Sequence, residues 1–305
     1  MAQFIPPSYD VLEDKVIVIT GGAMGIGASL VELLHSAGAH VFFGDVESVS
    51  GEALANRISS SSKSSQKLQF VKTNVADYAS NLNLFETAFN ACGRVDHAVS
   101  AAGIGEIGNI VSRALTLESV KEPPPMKVID VNLIGPIYFA RIASVYLRQG
   151  QSSNTSKLTD RSLALVSSVA GLFESPGLFV YGASKHGVIG LMRSLRRYFP
   201  TYEQPIRTNC ICPWMTKTRL VSGIEEEWEA EGLPTNSPMD VAKIIAGALA
   251  TPTLNGAALY VEGGRGWELE SVMESGRPQW MGEKQAREFD RGQEVLGIGD
   301  GWTKK

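Results

Sequence analysis

The sequence predicts an α/β fold, a doubly wound three-layer sandwich built on a seven-stranded parallel sheet. Short apolar runs alternate with longer segments whose apolar residues recur at helical spacing, and this alternation repeats along the chain. The runs are apolar on both faces, as strands covered by helices on either side must be. No segment of linker composition interrupts the pattern, so we expect one domain over residues 1–305, with its core at about 12–267.

The strands are predicted from seven short, largely apolar runs. The first run reads Val-Ile-Val-Ile and is apolar at every position, which indicates a strand buried on both faces. The seven predicted strands span residues 16–19, 40–44, 69–75, 95–100, 163–166, 206–212 and 257–261.

The helices are predicted from apolar residues three and four positions apart. The first helix runs from Ile26 to Ala37 and is ended by Gly38. The helix at 126–148 follows three consecutive prolines, which suit a helix start, and it is apolar around most of its girth, so we expect it to be buried on several sides. The other predicted helices span residues 47–58, 82–92, 181–198 and 240–249.

The composition argues against several classes of function. A net charge of -4 without a cluster of Lys and Arg argues against a nucleic-acid partner. The first residues lack the layout of a signal peptide, and no uninterrupted apolar run approaches the ~20 residues that span a bilayer. The three cysteines do not form a disulfide framework, and the four histidines lack metal-ligand spacing. We therefore expect a cytoplasmic protein with no metal ion and no membrane.

A glycine-rich turn lies between the first strand and the first helix, where residues 20–27 read Thr-Gly-Gly-Ala-Met-Gly-Ile-Gly. Glycines let a chain turn tightly and let a pyrophosphate approach the backbone, and the helix N-terminus offers N–H groups to the anion. The spacing differs from the general Gly-x-Gly-x-x-Gly pattern. Its position directly after the first strand favours a Rossmann-like phosphate-binding turn over a glycine-rich turn without a ligand.

Asp45 follows the second predicted strand, 18 residues beyond Gly27. A carboxylate at this place can accept hydrogen bonds from the adenosine ribose hydroxyls and repels a 2′-phosphate. The residues beside it and in the glycine-rich turn carry no positive charge. The sequence therefore favours NAD over NADP, while a cap on the following helix remains the alternative role of Asp45.

Residues 181–185 read Tyr-Gly-Ala-Ser-Lys and open the helix after the fifth predicted strand. Tyr181 and Lys185 lie on one face of a helix, so the ammonium can approach the phenol and favour its phenolate form. The pair alone also fits a solvated helix face. Ser168, thirteen residues before Tyr181 and just past the strand, favours a functional role, because its hydroxyl can hydrogen-bond a substrate oxygen as charge develops there.

Asn132 is a polar amide among apolar neighbours in the helix predicted at 126–148. A buried amide needs hydrogen-bond partners. A water chain toward Lys185 is one use for it, and a purely structural role is the other.

The glycine-rich turn, Ser168, Tyr181 and Lys185, with Asn132 upstream, resemble the short-chain dehydrogenase/reductase family of the compact single-domain type. The resemblance covers about residues 12–267 and implies an oxidoreductase. It implies that Tyr181 is the general acid/base, that Lys185 assists it and holds the nicotinamide ribose, that Ser168 orients the substrate oxygen and that Asn132 supports a proton relay. The cofactor contacts that the sequence and the resemblance together predict are Gly21, Gly25, Ile26, Gly27, Asp45, Asn74, Val75, Ala101, Gly103, Tyr181, Lys185, Pro213, Thr216 and Thr218.

The chain departs from the family pattern at three places. Asn74 stands where the family often has Asp, and Ser100-Ala101 replaces a pair of asparagines. Trp214 replaces the glycine that usually follows Pro213, so a bulky indole is expected to narrow the nicotinamide end of the pocket. None of these departures touches the catalytic residues.

Apolar residues fill the loop at 172–179 and the segment after Pro213, where the resemblance implies a mobile lid at about 216–237. This lining suits a small, mostly apolar secondary alcohol or ketone. An NADPH-dependent ketoreductase of a biosynthetic pathway is an alternative that Asp45 opposes, and a non-catalytic NAD-binding sensor or scaffold is opposed by Ser168, Tyr181 and Lys185.

The assembly is predicted in part from the resemblance. Members of the family pair the helices at 126–148 and 181–198, so we expect a homodimer or homotetramer. Residues 268–305 form a C-terminal extension whose expected place is over the active site or at a subunit interface.

Overall fold

The sheet is described from a computed structural model that covers residues 2–61, 65–150 and 159–299. Its strands in chain order are β1 Ala2–Phe4, β2 Val16–Thr20, β3 His40–Asp45, β4 Leu68–Lys72, β5 His97–Ser100, β6 Ser162–Val166, β7 Arg207–Pro213, β8 Ala258–Glu262 and β9 Arg265–Glu268. They form one sheet in the order β1-β9-β8-β7-β6-β5-β2-β3-β4. The seven strands from β2 to β8 pair in parallel, so the predicted parallel sheet is confirmed.

Two antiparallel strands extend the sheet beyond the prediction. β9 returns along β8 through a turn at Gly263 and Gly264, and β1 pairs with β9. The sequence of β9, Arg-Gly-Trp-Glu, carries two charges and a glycine, so it has little strand character of its own. Its pairing with an existing edge strand supplies the backbone hydrogen bonds that local propensity does not predict.

Helices cover both faces of the sheet. Their bounds are α1 Gly25–Ser36, α2 Ser48–Ser61, α3 Tyr78–Cys92, α4 Lys127–Tyr146, α5 Phe179–Tyr198, α6 Glu225–Ala230, α7 Pro238–Leu249, α8 Glu270–Ser275, α9 Arg277–Met281 and α10 Glu283–Leu296. On one face, α1 packs on β2 and β3 and α7 packs on β6, β7 and β8, with Leu30 and Ile245 in the same core cluster. On the other face, α3 packs on β2 and β3, α4 on β5 and β6, and α5 on β6 and β7, with Phe85 and Phe139 in their shared core cluster. The three predicted layers are thus present.

α4 differs from the uniform helix that the sequence predicts. Its residues Asp130–Ile134 form a π-helical turn, a local widening often found at functional sites. Beyond this turn, Phe139, Ile142 and Ala143 are buried in the core. By length and composition alone α4 could also cross a membrane, although core helices of soluble proteins pass the same test.

The order of the strands creates a switch point between β2 and β5. From β2 the chain proceeds to β3 and β4 at one edge, then returns to β5 beside β2 and proceeds toward the other edge. In doubly wound sheets a ligand binds in the crevice beyond the carboxyl ends of the strands at such a point. The glycine-rich turn follows β2, and residues 101–103 follow β5, so both flank this crevice.

The C-terminal extension packs on α5. The buried carboxylate of Glu270 accepts hydrogen bonds from Arg193 Nε at 3.1 Å and Arg196 Nη1 at 2.8 Å. Arg193 lies twelve residues after Tyr181 (193 − 181) on α5, which is about 18 Å along a helix. These contacts anchor the start of the extension well away from the amino end of α5, and residues 300–305 of the predicted extension lie outside the described residues.

Candidate active site

The turn after β2 has room only for glycine at two positions. Gly21 has a φ of 72°, and a Cβ atom on it would lie 2.6 Å from the Ala102 backbone at the end of β5. A Cβ atom on Gly27 would lie 1.9 Å from the Gly21 carbonyl oxygen. The first turn of α1 therefore packs directly on the glycine loop. No side chain of the described residues caps α1, so its first N–H groups are left without a side-chain acceptor, as the pyrophosphate site of a dinucleotide requires.

Asp45 lies at the end of β3 with both carboxylate oxygens in use. Oδ2 accepts a hydrogen bond from the Ala23 N–H at 3.1 Å, which ties the acid to the glycine loop, and Oδ1 accepts one from the Glu47 N–H at 3.2 Å, just before α2. The side chain is half-buried, so the carboxylate stays partly accessible at the carboxyl end of β3. The structure thus places Asp45 at the loop, as the cofactor role requires, and also at the turn before α2, as the capping role requires.

Sequence reasoning missed a positive charge near Asp45. Lys72 is the residue opposite Asp45 in the parallel pair β3–β4, and its side chain is exposed. Residues in register on parallel strands point to the same face of the sheet. Only the register of β3 against β4 shows that Lys72 lies beside Asp45, because the two residues are 27 positions apart in the chain.

Three other predicted cofactor residues follow β4 and β5. Asn74 is exposed, and its Oδ1 accepts a hydrogen bond from the Ala76 N–H at 3.1 Å. β4 ends at Lys72, so Asn74 and Val75 lie in the loop and not in the strand predicted to reach residue 75. Val75 is buried against α4. The Ala101 N–H donates to the Thr20 carbonyl at the end of β2, which places Ala101 at the switch point.

The chain after β7 reaches back to the glycine loop. The Cγ2 atom of Thr218 lies 3.3 Å from the position that a Cβ on Gly25 would occupy. Thr216 is buried, its hydroxyl donates to the Trp214 carbonyl at 2.9 Å, and it pairs with Asn236 at the other end of the predicted lid. Thr218 thus contacts the glycine loop at Gly25. The Thr216 hydroxyl is used in a hydrogen bond at the start of the predicted lid. Ile26, the remaining predicted contact in the turn, is half-buried against the core.

Tyr181 and Lys185 are buried in the first turns of α5. The Lys185 Nζ lies 5.5 Å from the centroid of the Tyr181 ring and donates to the Val166 carbonyl at 3.2 Å. Both residues are less than a tenth exposed, so the alternative of a solvated helix face is wrong. The spacing of four residues brings the ammonium beside the phenol, as predicted.

Asn132 lies in the π turn of α4 and holds the loop after β5. Its Oδ1 accepts a hydrogen bond from the Ile104 N–H, and its Nδ2 donates to the Ile104 carbonyl, both at 2.8 Å. A Cβ atom on Gly103 would lie 3.4 Å from Asn132 Oδ1 and 3.4 Å from Lys185 Nζ. Asn132, Gly103 and Lys185 therefore meet at one place, and the amide serves a structural role whether or not it also supports a relay.

Ser168 lies just past β6 and close to Pro213 at the end of β7. Its Oγ accepts from the Ala170 N–H at 3.2 Å and donates to the Pro213 carbonyl at 3.5 Å. The hydroxyl of its neighbour Ser167 donates to the Lys185 carbonyl at 2.8 Å, which fixes this turn to α5. The structure thus brings Ser168, Pro213 and the Tyr181–Lys185 helix to one end of the sheet.

The Trp214 indole packs between the lid and the sheet. It contacts the Trp228 ring of α6 edge-on, with 5.0 Å between ring centroids, and lies 6.4 Å from the Tyr260 ring of β8. These contacts make Trp214 an anchor for the predicted lid. The narrowing of the nicotinamide end of the pocket by Trp214 stays a prediction.

The apolar residues near the site divide into two groups. Leu172 packs against the core and Met215 is buried, whereas Phe173, Leu178 and Phe179 remain exposed beside the site. Cys210 and Cys212 are buried free thiols with Sγ atoms 4.0 Å apart. In the described part of the chain, no group of three or more His, Cys, Asp or Glu side chains is placed to hold a metal ion.

A buried tyrosine–lysine pair next to a dinucleotide cradle defines a class of protein, the oxidoreductases that act on an alcohol or carbonyl group with a nicotinamide dinucleotide. A model of the short chain dehydrogenase family matches residues 15–229. A short-chain dehydrogenase/reductase of Acremonium egyptiacum is 32% identical over 263 residues, which cover 86% of this chain and 83% of that protein. The chain therefore belongs to the short-chain dehydrogenase/reductase family.

Further relatives agree with this membership. The 5'-hydroxyaverantin dehydrogenase of Dothistroma septosporum is 30% identical over 288 residues, covering 90% of this chain and 91% of that protein. Among solved structures, a 3-oxoacyl-[acyl-carrier protein] reductase from Brucella melitensis in complex with NAD has a TM-score of 0.70 at 24% identity, covering 83% of this chain and 97% of that chain. The structural likeness supports the fold.

Proposed function

We propose that the protein is an NAD-dependent dehydrogenase of a secondary alcohol on a small, mostly apolar molecule. The observation that carries the proposal is the buried Tyr181–Lys185 pair at the carboxyl end of the sheet, beside the glycine cradle. Nothing in a purely structural core requires a buried ammonium beside a phenol. A catalytic base requires such a neighbour.

Tyr181, Lys185 and Ser168 each have one role in the proposed oxidation. A nicotinamide dinucleotide, which the glycine loop and Thr218 would hold, would supply the acceptor for the hydride from the carbon that bears the hydroxyl. Tyr181 removes the hydroxyl proton, and Lys185 stabilises the phenolate through its positive charge. Ser168 hydrogen-bonds the substrate oxygen as the alcohol becomes a carbonyl, and Tyr181 returns the proton in the reverse direction.

The choice of NAD is supported by Asp45. Its carboxylate is fixed to the glycine loop by the Ala23 N–H, and a carboxylate there accepts hydrogen bonds from ribose hydroxyls and opposes a 2′-phosphate. One observation favours the alternative NADPH-dependent ketoreductase. Lys72 lies in register with Asp45 and could attract that phosphate.

The apolar character of the substrate is supported by the surroundings of the site. Phe173 and Phe179 expose their rings near the start of α5, and Leu220 of the predicted lid is also exposed. Exposed apolar side chains around a polar reaction centre suit a ligand with a large apolar body. The relative from Dothistroma septosporum is likewise named for the dehydrogenation of a hydroxylated compound.

The cofactor assignment is tested by titrating the protein with NADH and NADPH while nicotinamide fluorescence is followed. We expect NADH to bind more tightly, and Asp45→Ala to weaken NADH binding about tenfold as two ribose hydrogen bonds are lost. Lys72→Ala is the matched change on the opposite strand and should leave NADH binding within about twofold. Tighter binding of NADPH that Lys72→Ala abolishes would establish the ketoreductase alternative.

Catalysis is tested with Tyr181→Phe and a panel of apolar secondary alcohols. The phenylalanine variant should retain NADH binding and lose turnover by at least about 10²-fold, the usual contribution of a general base. Turnover that survives this change would refute the role of Tyr181. NADH binding by a wild-type protein inactive across the panel would favour a non-catalytic sensor.

A further inference from the structure

The predicted lid has a fixed base and an exposed tip. At the base, Thr216 and Asn236 are buried and pair with each other, and the Asn236 side chain donates to the Val261 carbonyl of β8 at 3.0 Å. The tip, residues 218–224, contains a short 3-10 helix at Arg219–Val221 and is mostly exposed. Because few buried contacts hold the tip, it is the part of the lid that opens most easily.

Two contacts hold the tip across the crevice. Thr218 places its Cγ2 atom 3.3 Å from the Cβ position of Gly25, in the loop after β2. Leu220 places its Cγ and Cδ2 atoms 3.7 Å and 4.0 Å from the Cβ position of Gly105, in the loop after β5. β2 and β5 are neighbours in the sheet, and the switch point lies between them. Residues 218–220 therefore reach from one wall of the crevice to the other.

The wall that Leu220 contacts is held on both sides of the contact. The residue before it, Ile104, has its N–H and its carbonyl bound by the Asn132 side chain, both at 2.8 Å. The residue after it, Glu106, accepts a hydrogen bond from the Tyr181 N–H at 2.7 Å, in the first turn of α5. The backbone between these two anchors cannot follow the tip outward, so Leu220 loses its contact when the tip lifts.

Glycine at position 105 leaves this contact incomplete. The Leu220 side chain remains 48% exposed. Gly105 does not have a positive φ, so its backbone conformation suits alanine. Apart from its chain neighbours, a Cβ atom at Gly105 would meet only Leu220 among the described residues, at an ordinary contact distance. Gly105→Ala therefore enlarges the contact, and Leu220→Ala removes it.

We propose that the contact of Leu220 with Gly105 holds the tip across the crevice and sets the rate at which a nicotinamide dinucleotide leaves it. In a doubly wound sheet the dinucleotide binds in the crevice that residues 218–220 cross. The tip must lift before the ligand departs, and the opening of a lid limits release in many enzymes. The inference rests on the proposed function, because it takes this crevice as the cofactor site.

The test is the rate of NADH release, followed by stopped-flow fluorescence after the complex is mixed with excess NAD. Leu220→Ala should release NADH about three- to tenfold faster, because most of the apolar contact is removed. Gly105→Ala should release it about threefold more slowly, the effect of one additional buried methyl group. In the double variant the alanine at position 105 should have no effect, because its contact partner is gone.

Leu233→Ala is the matched control, since Leu233 is an exposed leucine near the other end of the lid. Its rate of NADH release should stay within about twofold of the wild type, as for most surface substitutions.

Hydrogen exchange of the cofactor-free protein supplies a second readout. Within the tip, the Val221 N–H donates to the Thr218 carbonyl at 3.1 Å. Exchange of this amide should become faster in Leu220→Ala and slower in Gly105→Ala, because a tip that is held less firmly opens more often. Leu233→Ala should leave the exchange of this amide unchanged.

Wild-type release from Leu220→Ala, or an equal effect of Gly105→Ala with and without Leu220, would overturn the inference and leave the proposed function intact. A wild-type protein that does not bind NADH would instead overturn the cofactor site, and with it the proposed function. A general loss of stability cannot imitate the expected pattern, because one substitution must slow release while the other accelerates it.

Discussion

At the scale of single residues, the Gly27 position is the most tightly constrained point of the cofactor cradle. A methyl group there would meet the Gly21 carbonyl oxygen at 1.9 Å, and neither backbone can yield without moving the turn or α1. We expect Gly27→Ala to cost about 1–3 kcal/mol of stability, as overpacking usually does. It should also weaken NADH binding at least tenfold. Thermal unfolding and NADH fluorescence titration measure the two effects.

Gly292 supplies the control for this change. It lies in α10, and a Cβ atom there would meet nothing within 4 Å. Gly292→Ala should therefore stabilise the helix by up to about 1 kcal/mol and leave NADH binding unchanged. Equal and small effects at the two glycines would show that the glycine loop is not as tight as described.

Contacts between site residues that lie close together in the chain could be predicted from the sequence. Tyr181 and Lys185 are four residues apart on one helix, so their proximity follows from helix geometry alone. Glu106 and Lys72 could not be found in this way, because the partner of each is brought to it by tertiary packing or strand register across 75 and 27 positions of the chain. No periodicity in the sequence encodes such contacts.

At the scale of elements, Trp214 joins the predicted lid to the sheet. Its indole packs on Trp228 of α6 and faces Tyr260 of β8, and each aromatic pair contributes about 0.5–1.5 kcal/mol beyond burial. We expect Trp214→Ala to lower stability by about 2 kcal/mol. Cleavage within residues 216–237 by a protease should become several-fold faster, since a loosened segment opens more often.

Trp280 is the matched control for the lid experiment because its side chain is largely exposed on α9. Trp280→Ala should change neither the unfolding temperature nor the rate of cleavage at 216–237. If both tryptophan variants are cleaved at the wild-type rate, Trp214 does not anchor the lid.

The two edge strands and the π turn, which the sequence did not predict, share a physical reason. β1 and β9 owe their pairing to an existing edge of the sheet, and the π turn of α4 is associated with Asn132 and its two bonds to Ile104. Each depends on a distant backbone partner. By contrast, the seven buried parallel strands and the helices that cover them depend on the hydrophobicity of their own residues, and these were predicted to within a few positions, whereas the helices of the C-terminal extension were not predicted.

At the scale of the whole molecule, the two ends of the sheet have different chemistry. The carboxyl ends carry the candidate site, whereas the amino ends of the central strands carry a buried ionic network. Asp96 accepts from the Val16 N–H at 2.8 Å and pairs with the fully buried Arg161, and Arg207 binds Asp160 through two bonds of 2.7 Å. Groups this deeply buried are sensitive to protonation, so acid should act first on this end of the fold.

His97 provides the clearest measure of that sensitivity. Its ring is fully buried in β5, with Nδ1 2.8 Å from the Ser162 Oγ, and burial lowers the pKa of His97 from 6.5 to about 3, assisted by the nearby Arg207 charge and opposed by Asp160. Between those two pH values the unfolded chain binds a proton at this position and the folded chain does not. The free energy of unfolding should therefore fall, from this group alone, by about 1.4 kcal/mol for each unit that the pH drops from 6.5 toward 3.

The measurement is urea unfolding of the wild type, His97→Gln and His186→Gln at a series of pH values through this window. Glutamine at position 97 can still hydrogen-bond Ser162 but cannot titrate, so its stability should depend less steeply on pH than that of the wild type, although it starts lower at neutral pH. His186 is exposed on α5, and its replacement should leave the wild-type slope unchanged. Because the carboxylates contribute equally in all three proteins, parallel slopes for the wild type and His97→Gln would mean that His97 is protonated in the folded state, and that the amino end of the sheet opens to water in acid.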